Sequence, residues 1–505
     1  MSHTDAAAEP PPFDRLTEPG AAGQAPFDRL TEPGAAGQAP FDKLREPGAA
    51  GEAPFDRLRE PFDGLTEPAG EPRSLSPSKR ASPNPARLRV RTVAVDETAP
   101  LVPRLDPRHP LLWMRRGEGI IGIGEALRIE TSGPSRIDDA GDQWRAVAAA
   151  ADVDDRVGLP GSGLVAFGAI AFADESAATS VLVVPEIVLG RRDGRAWVTR
   201  IERADAASEP PAPVELPAPA PKRDVPRVTF APGSMPPEAY EDAVAEAVRR
   251  IDGGRFEKVV LARDLIGRLH EDAGLRAALA KLAEDYPDTW VFAVDGLIGA
   301  SPETLVRVDH GTVSARVLAG TASRGEDATS DRERAARLAA SHKDLAEHAL
   351  AVESAVQTLA PHTARLDASP EPFTLQLPNL WHLATDLKGT LGDGSSSLDL
   401  VRAMHPTAAV AGTPRELALD AIAELEGFDR GRYAGPVGWI DSDGDGEWAI
   451  ALRCAQVSPD GTVRAYAGCG IVHDSFPDDE LAETVMKFRP IVEAFGAPPP
   501  SPPIA

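Results

Sequence analysis

From about residue 88 onward the chain carries two hydrophobic periods, one of two residues and one near 3.6; before that point it carries neither. "LLWMRRGEGIIGIGEALRIE", "GLVAFGAIAFAD" and "SVLVVPEIVLGRRDGRAWVTRI" are short apolar runs cut by Gly, Pro and Asp, which predicts strands joined by turns. Tyr240, Val244, Val248 and Ile251 fall three or four apart and predict a helix, with Ser234 as its cap and Gly253–Gly254 as its stop. A strand beginning at Lys258 follows, then a short helix around Leu275–Leu282 and the strand-like runs "WVFAV", "LIGA", "TLVRV" and "TVSARVLAG". Residues 327–360 read as one long helical stretch, 379–391 and 433–472 as strands, 414–425 as helix, and about 478–494 as a closing helix. Many strands with a few long helices predict an α+β protein of layered sheets.

The first 87 residues change this picture. "PFDRLTEPGAAGQA" starts at Pro12, returns at Pro26, and recurs with substitutions at Pro40 and Pro54; a half-length copy begins at Pro61. One Phe and one Leu per 14-residue unit cannot build a core, so 1–87, the repeats with a basic linker, are expected to be disordered. The alternative is a multivalent arm that docks a partner through Phe13, Phe27, Phe41, Phe55 and Phe62. A second Pro/Ala-rich stretch, "PPAPVELPAPAPKRDVP" (210–226), predicts a linker or surface loop.

Composition narrows the function. A formal charge of −25 argues against nucleic acid or an anionic membrane as a partner, since phosphate binding needs basic surface. The two cysteines, Cys454 and Cys469, have neither metal-ligand spacing nor a disulfide framework, and no apolar run reaches a membrane-spanning length. A cytoplasmic protein, with a monomer favoured, is the expectation.

Several motifs carry candidate chemistry. Gly117, Gly119 and Gly122 have the spacing of a dinucleotide loop, but a strand follows where that loop needs a helix, so a glycine-rich hairpin is predicted. "DSDGDGE" (441–447) begins like a calcium loop, yet its twelfth position is Leu452, and a hairpin turn is the better reading. On the closing helix Glu480, Glu483 and Lys487 share a face, as do Asp344 and Glu347 on the long helix. If the two faces converge they offer hard oxygen ligands suited to Mg²⁺. His342 and His348 lie six apart and are read as structural or exposed. Arg453, placed at the end of an apolar strand, lies beside a strand with Gly468 and Gly470, where a ligand could approach the backbone. Lys258 opens an otherwise apolar strand.

Taken in order, "KVVLAR", "GASPE", "LAGT", "LWHLAT", "HPTAAVAGTP", "GWIDSDGDGEWAIALRCA" and "AGCGIV" make the chain resemble the chorismate-utilising enzymes, which include isochorismate, salicylate, anthranilate and aminodeoxychorismate synthases. The resemblance is dense from about 230 to 496, looser over 88–205 and absent before that. It implies one large layered α/β domain with antiparallel sheets over 88–497. Within it, 88–205 is a variable first half, 206–229 a Pro-rich loop and 230–497 the motif-bearing second half. It further implies Lys258 as general base and Glu303 as general acid. Glu347 and Glu483, with Glu480 and Asp344 close by, would hold Mg²⁺. Gly320, Thr321, His382, Ala409, Tyr433, Arg453, Gly468 and Lys487 would meet chorismate.

The chemistry agrees with those roles. Adding water at C2 and expelling the C4 hydroxyl needs a base on one side and an acid on the other. Lysine, with a reference pKa of about 10.4, must be kept neutral to serve as base, and an apolar flank helps. Burial should hold Glu303 protonated. Isochorismate synthase, an isomerase feeding menaquinone or catechol siderophore synthesis and needing no glutaminase subunit, is the expected member. Salicylate synthase is the alternative within the family. A non-catalytic scaffold that binds through the repeats is the alternative outside it.

Overall fold

The computed structural model describes residues 87–96, 99–204, 218–221, 224–270, 273–377 and 380–498, without the side chain of Glu347. These all lie in one compact unit, Arg80–Ala505. The repeats, and most of the Pro-rich loop, fall outside the described residues.

Strand alternation divides the interior into two apolar clusters. On Leu111–Arg115, Leu111 and Trp113 join one cluster and Leu112 and Met114 the other; on Glu118–Ile123, Ile120 and Ile121 separate in the same way. Both strands belong to a thirteen-stranded sheet whose far end carries Lys258–Arg268 paired with Thr462–Ile471. A ten-stranded sheet includes Thr312–Ser323, Leu380–Leu391, Pro436–Asp441 and Gly446–Ile450. Pairing is antiparallel throughout, apart from Leu88–Val95 with Asp152–Asp155.

Eight α-helices appear among the described residues: α1 (Arg136–Ala150), α2 (Pro237–Asp252), α3 (Arg276–Asp285), α4 (Ala328–Ala340), α5 (His342–Leu359), α6 (Ser397–Met404), α7 (Arg415–Glu426) and α8 (Pro477–Ala494). The first cluster takes Trp113, Phe292 and Val294 from the large sheet and Phe167, Trp439 and Trp448 from the smaller one, so it fills the space between them. Leu279 and Leu282 of α3, with Phe488 and Ile491 of α8, cover the other face of the large sheet. The buried Glu447 ties the two sheets together. Its carboxylate accepts from Trp113 Nε1 at 2.9 Å and pairs with Arg192 at 2.9 Å and Arg307 at 3.3 Å. An α+β architecture of layered antiparallel sheets is what the patterning and the resemblance led one to expect.

Local detail departs from the sequence reading in four places. Ser234 does not cap α2, which starts at Pro237, whose ring already fixes φ for a helical start, with an extended Pro236 in the cap position. The stretch 327–360 is two helices. Ser341 leaves helical geometry between them, and its hydroxyl accepts from Asp344 N, starting α5 afresh. The apolar strand before Arg453 ends at Ile450. Finally, α1 and α6 had no counterpart in the sequence reading. Gly117, with φ of +76°, sits in the turn between Leu111–Arg115 and Glu118–Ile123, and "DSDGDGE" is the turn between Pro436–Asp441 and Gly446–Ile450. Asp441 Oδ1 accepts from the amides of Asp443 and Asp445 in that turn.

Candidate active site

Lys258 opens the strand Lys258–Arg268, with Thr413 opposite it on one side and Gly470 opposite Val260 on the other. A Cβ at Gly470 would lie 2.8 Å from Lys258 Cε and 3.3 Å from Nζ. One at Gly468 would lie 2.7 Å from the Leu261 carbonyl and 3.0 Å from the Tyr433 hydroxyl. Both positions therefore need glycine for the strands, the lysine and the tyrosine to come together.

Beneath that strand lies a buried ion pair that the sequence reading missed. Arg430 and Glu426 are almost fully enclosed. Arg430 also donates to the carbonyls of Val260 and Val410, and Glu426 accepts from Ala262 N at 2.8 Å. The pair thus fastens the strand of Lys258 to the segment that carries Ala409. Its four-residue spacing at the end of α7 was visible, but such spacing on a helix usually marks a solvated face.

Glu303 follows Pro302 at the end of Leu297–Ser301. Its amide donates to Ser301 Oγ, its carbonyl accepts from Ile450 N, and the residue is 8% exposed. Burial pushes its carboxyl up to about 7, against the pull of Lys258, Arg453 and Lys487. Arg453 adopts φ of +49°, a left-handed conformation uncommon for arginine, in the link between Gly446–Ile450 and Cys454–Val457. Burial lowers its pKa from the ordinary arginine value.

A bulge at Gly320 (φ +80°) sets Thr321 opposite His382. His382 Nδ1 lies 3.0 Å from Thr321 Oγ1 and 3.3 Å from the Gly320 carbonyl. Burial first, then Arg453 and Lys487, push this imidazole down to about 4, so it is neutral at pH 7. His342 is exposed, and His348 is buried against the Ala319 carbonyl and Thr385 Oγ1.

Asp344 of α5 and Glu480, Glu483 and Lys487 of α8 line one cavity. Lys487 Nζ is 2.6 Å from Glu483 and donates to the Gly468 carbonyl at 2.9 Å. Burial works against that ammonium, but Cys469 and Glu483 more than offset it and raise its pKa. Lys487 in turn holds Glu483 below the usual carboxylate range, while burial and the charge of Glu483 raise Glu480. Ligand atoms of Cys469, Glu480 and Glu483 lie within 4.8 Å of one another. Glu480, whose ionisation Glu483 disfavours, and Glu483 itself are neighbouring carboxylates that suit a divalent cation, and their hard oxygens suit Mg²⁺. Cys469, a softer donor, was not anticipated in this position.

One cavity of about 280 Å³ gathers most of these groups. Lys258, Glu303, Gly320, Thr321, Asp344, His382 and Ala409 line it, with Tyr433, Arg453, Gly468, Glu480, Glu483 and Lys487. Of the catalytic, substrate and metal residues expected from sequence, Glu347 is not placed, because its side chain lies outside the described residues. Lys343 and the exposed Phe476 stand at the rim; neither was singled out from sequence. A pocket that sets Lys258, Arg453 and Lys487 around a glutamate raised to about 7 can meet a small dianion and move protons on it.

Comparison with known proteins agrees with this geometry. Isochorismate synthase DhbC of Bacillus subtilis is 40% identical over 272 residues, 52% of this chain and 68% of that protein. DhbC from Bacillus anthracis has a crystal structure with a TM-score of 0.65 and 31% identity, covering 79% of this chain and 99% of that one. The menaquinone-specific isochorismate synthase MenF of Escherichia coli gives 0.65 at 25% identity, over 82% and 96%. The family described as chorismate binding enzyme matches residues 103–496, and the chain belongs to it.

Proposed function

We propose that this protein is an isochorismate synthase that interconverts chorismate and isochorismate with Mg²⁺ in the cytoplasm. The observation that carries the reading is the presence of Lys258 and Glu303 on one cavity, with burial pushing the glutamate up to about 7. In this reading Lys258 takes the proton of a water that bonds to C2. Glu303 protonates the hydroxyl leaving C4, and the ring double bonds shift between them. Arg453 and Lys487 meet the substrate carboxylates as charge-assisted donors, and neutral His382 orients through Nδ1. Glu480 and Glu483, with Asp344 and Glu347, would hold Mg²⁺, which when bound supplies charge to offset a substrate carboxylate. The product would feed menaquinone or catechol siderophore synthesis; relatives named for both DhbC and MenF types support that range.

The test is chromatography of the purified protein after incubation with chorismate and Mg²⁺, with EDTA and Lys258→Ala as controls. A reversible chorismate–isochorismate mixture, lost in both controls, is expected. Salicylate with pyruvate would move the protein to the salicylate synthases, and no turnover would overturn the reading.

A further inference from the structure

A second cavity, of about 560 Å³, lies behind the acid. Glu303 and Ala409 belong to the walls of both cavities, whereas Lys258 lines only the first. The second is bounded by Ala351, Ser354 and Thr358 of α5 and by Thr407 and Thr413 of the segment before α7. Thr407 Oγ1 is fully buried and makes no hydrogen bond among the described residues. The two proton-transferring groups therefore differ in access: the base sees one chamber and the acid sees two.

The proposed reaction gives that asymmetry a use. Water forms its bond to C2 and passes a proton to Lys258. The C4–O bond breaks as the Glu303 proton joins the departing hydroxyl, which leaves as water. Each turnover ends with Lys258 one proton richer, Glu303 one proton poorer and a water molecule beside the acid; Lys258 returns its proton to solvent through the first chamber. Bound substrate shares the first chamber with that water, whereas the second adjoins the acid without the base. We propose that the second cavity is the exit for the departing water and the path by which Glu303 regains its proton from solvent. This rests on the isochorismate synthase reading.

The experiment uses the full chain and chorismate carrying ¹⁸O in its C4 hydroxyl. It reads the ratio of label lost from recovered chorismate to isochorismate formed. In the parent protein the labelled water escapes, so reversal restores chorismate with unlabelled oxygen and the ratio is high. Ala351→Phe fills the cavity from α5, and Thr407→Val removes its unpartnered hydroxyl at nearly constant shape. Both should return the same water to C4, lowering the ratio several-fold. They should also lower kcat by roughly tenfold, less than complete loss of an acid would. A parental ratio in Thr407→Val, or in a folded Ala351→Phe, overturns the proposal. A raised KM at constant ratio also overturns it and makes the cavity a substrate entrance. If the parent protein interconverts nothing, the isochorismate synthase reading falls first and this proposal with it.

Discussion

Glu303 and Lys258 make opposite demands on their surroundings, the one needing to keep its proton and the other to be without it. Raised to about 7, Glu303 is an acid that loses its proton as pH rises through neutrality. Its contribution to kcat should therefore fall above pH 7, and Glu303→Gln should remove that limb and lower kcat by about 10²–10⁴-fold. The same shift has a stability sign. A carboxyl whose pKa is higher folded than unfolded stabilises the fold at pH below its unfolded value and loses that advantage as pH rises to about 7. Urea titrations of Glu303→Gln against the parent should diverge across that window, by at most about 1.4 kcal/mol per pH unit, with the variant gaining as pH increases. Lys258→Ala should leave urea stability near the parental value and remove turnover. Retained turnover would displace the lysine as base.

At the scale of elements, the glycines and the buried pair are the sensitive parts. Gly470→Ala puts a methyl against Lys258 Cε, the movable end of a side chain, so the sheet should hold while the lysine is displaced. Unchanged thermal melting with kcat reduced at least tenfold is expected, and parental kcat would separate Lys258 from the chemistry. Glu426→Ala leaves Arg430 enclosed without its partner and should cost about 3–5 kcal/mol in denaturant titration, far more than an exposed pair would. The sequence showed the first of these devices and hid the second. "GASPE" and "AGCGIV" name their residues in short contiguous runs, whereas the Glu426–Arg430 pair is set apart only by burial. Strand endings were hidden for a similar reason: "WAIALRC" is apolar on both sides of the left-handed turn at Arg453. The break at Ser341 was missed because helical periodicity resumes one residue later. Cys469 was set aside because its proximity to Glu480 and Glu483 depends on α8 packing against its strand, which spacing along the chain does not reveal.

For the whole molecule, the groups of the proposed site come from residues 258–487, drawn from both sheets and from α5 and α8. Deletion of residues 1–85 should leave chorismate turnover unchanged. A large loss would tie the repeats to catalysis and revive the scaffold reading in a new form. Among the described residues no helix is long and apolar enough to cross a membrane.

The closeness of Gly470 to Lys258 also bears on how such a chain can drift. While the lysine is in place, position 470 takes a methyl only by pushing the end of that side chain aside. Should the lysine be exchanged for something short, alanine becomes acceptable at 470, and a lysine restored later would meet an occupied space. Order therefore matters: the lysine goes before the alanine arrives, and the glycine returns before the lysine can.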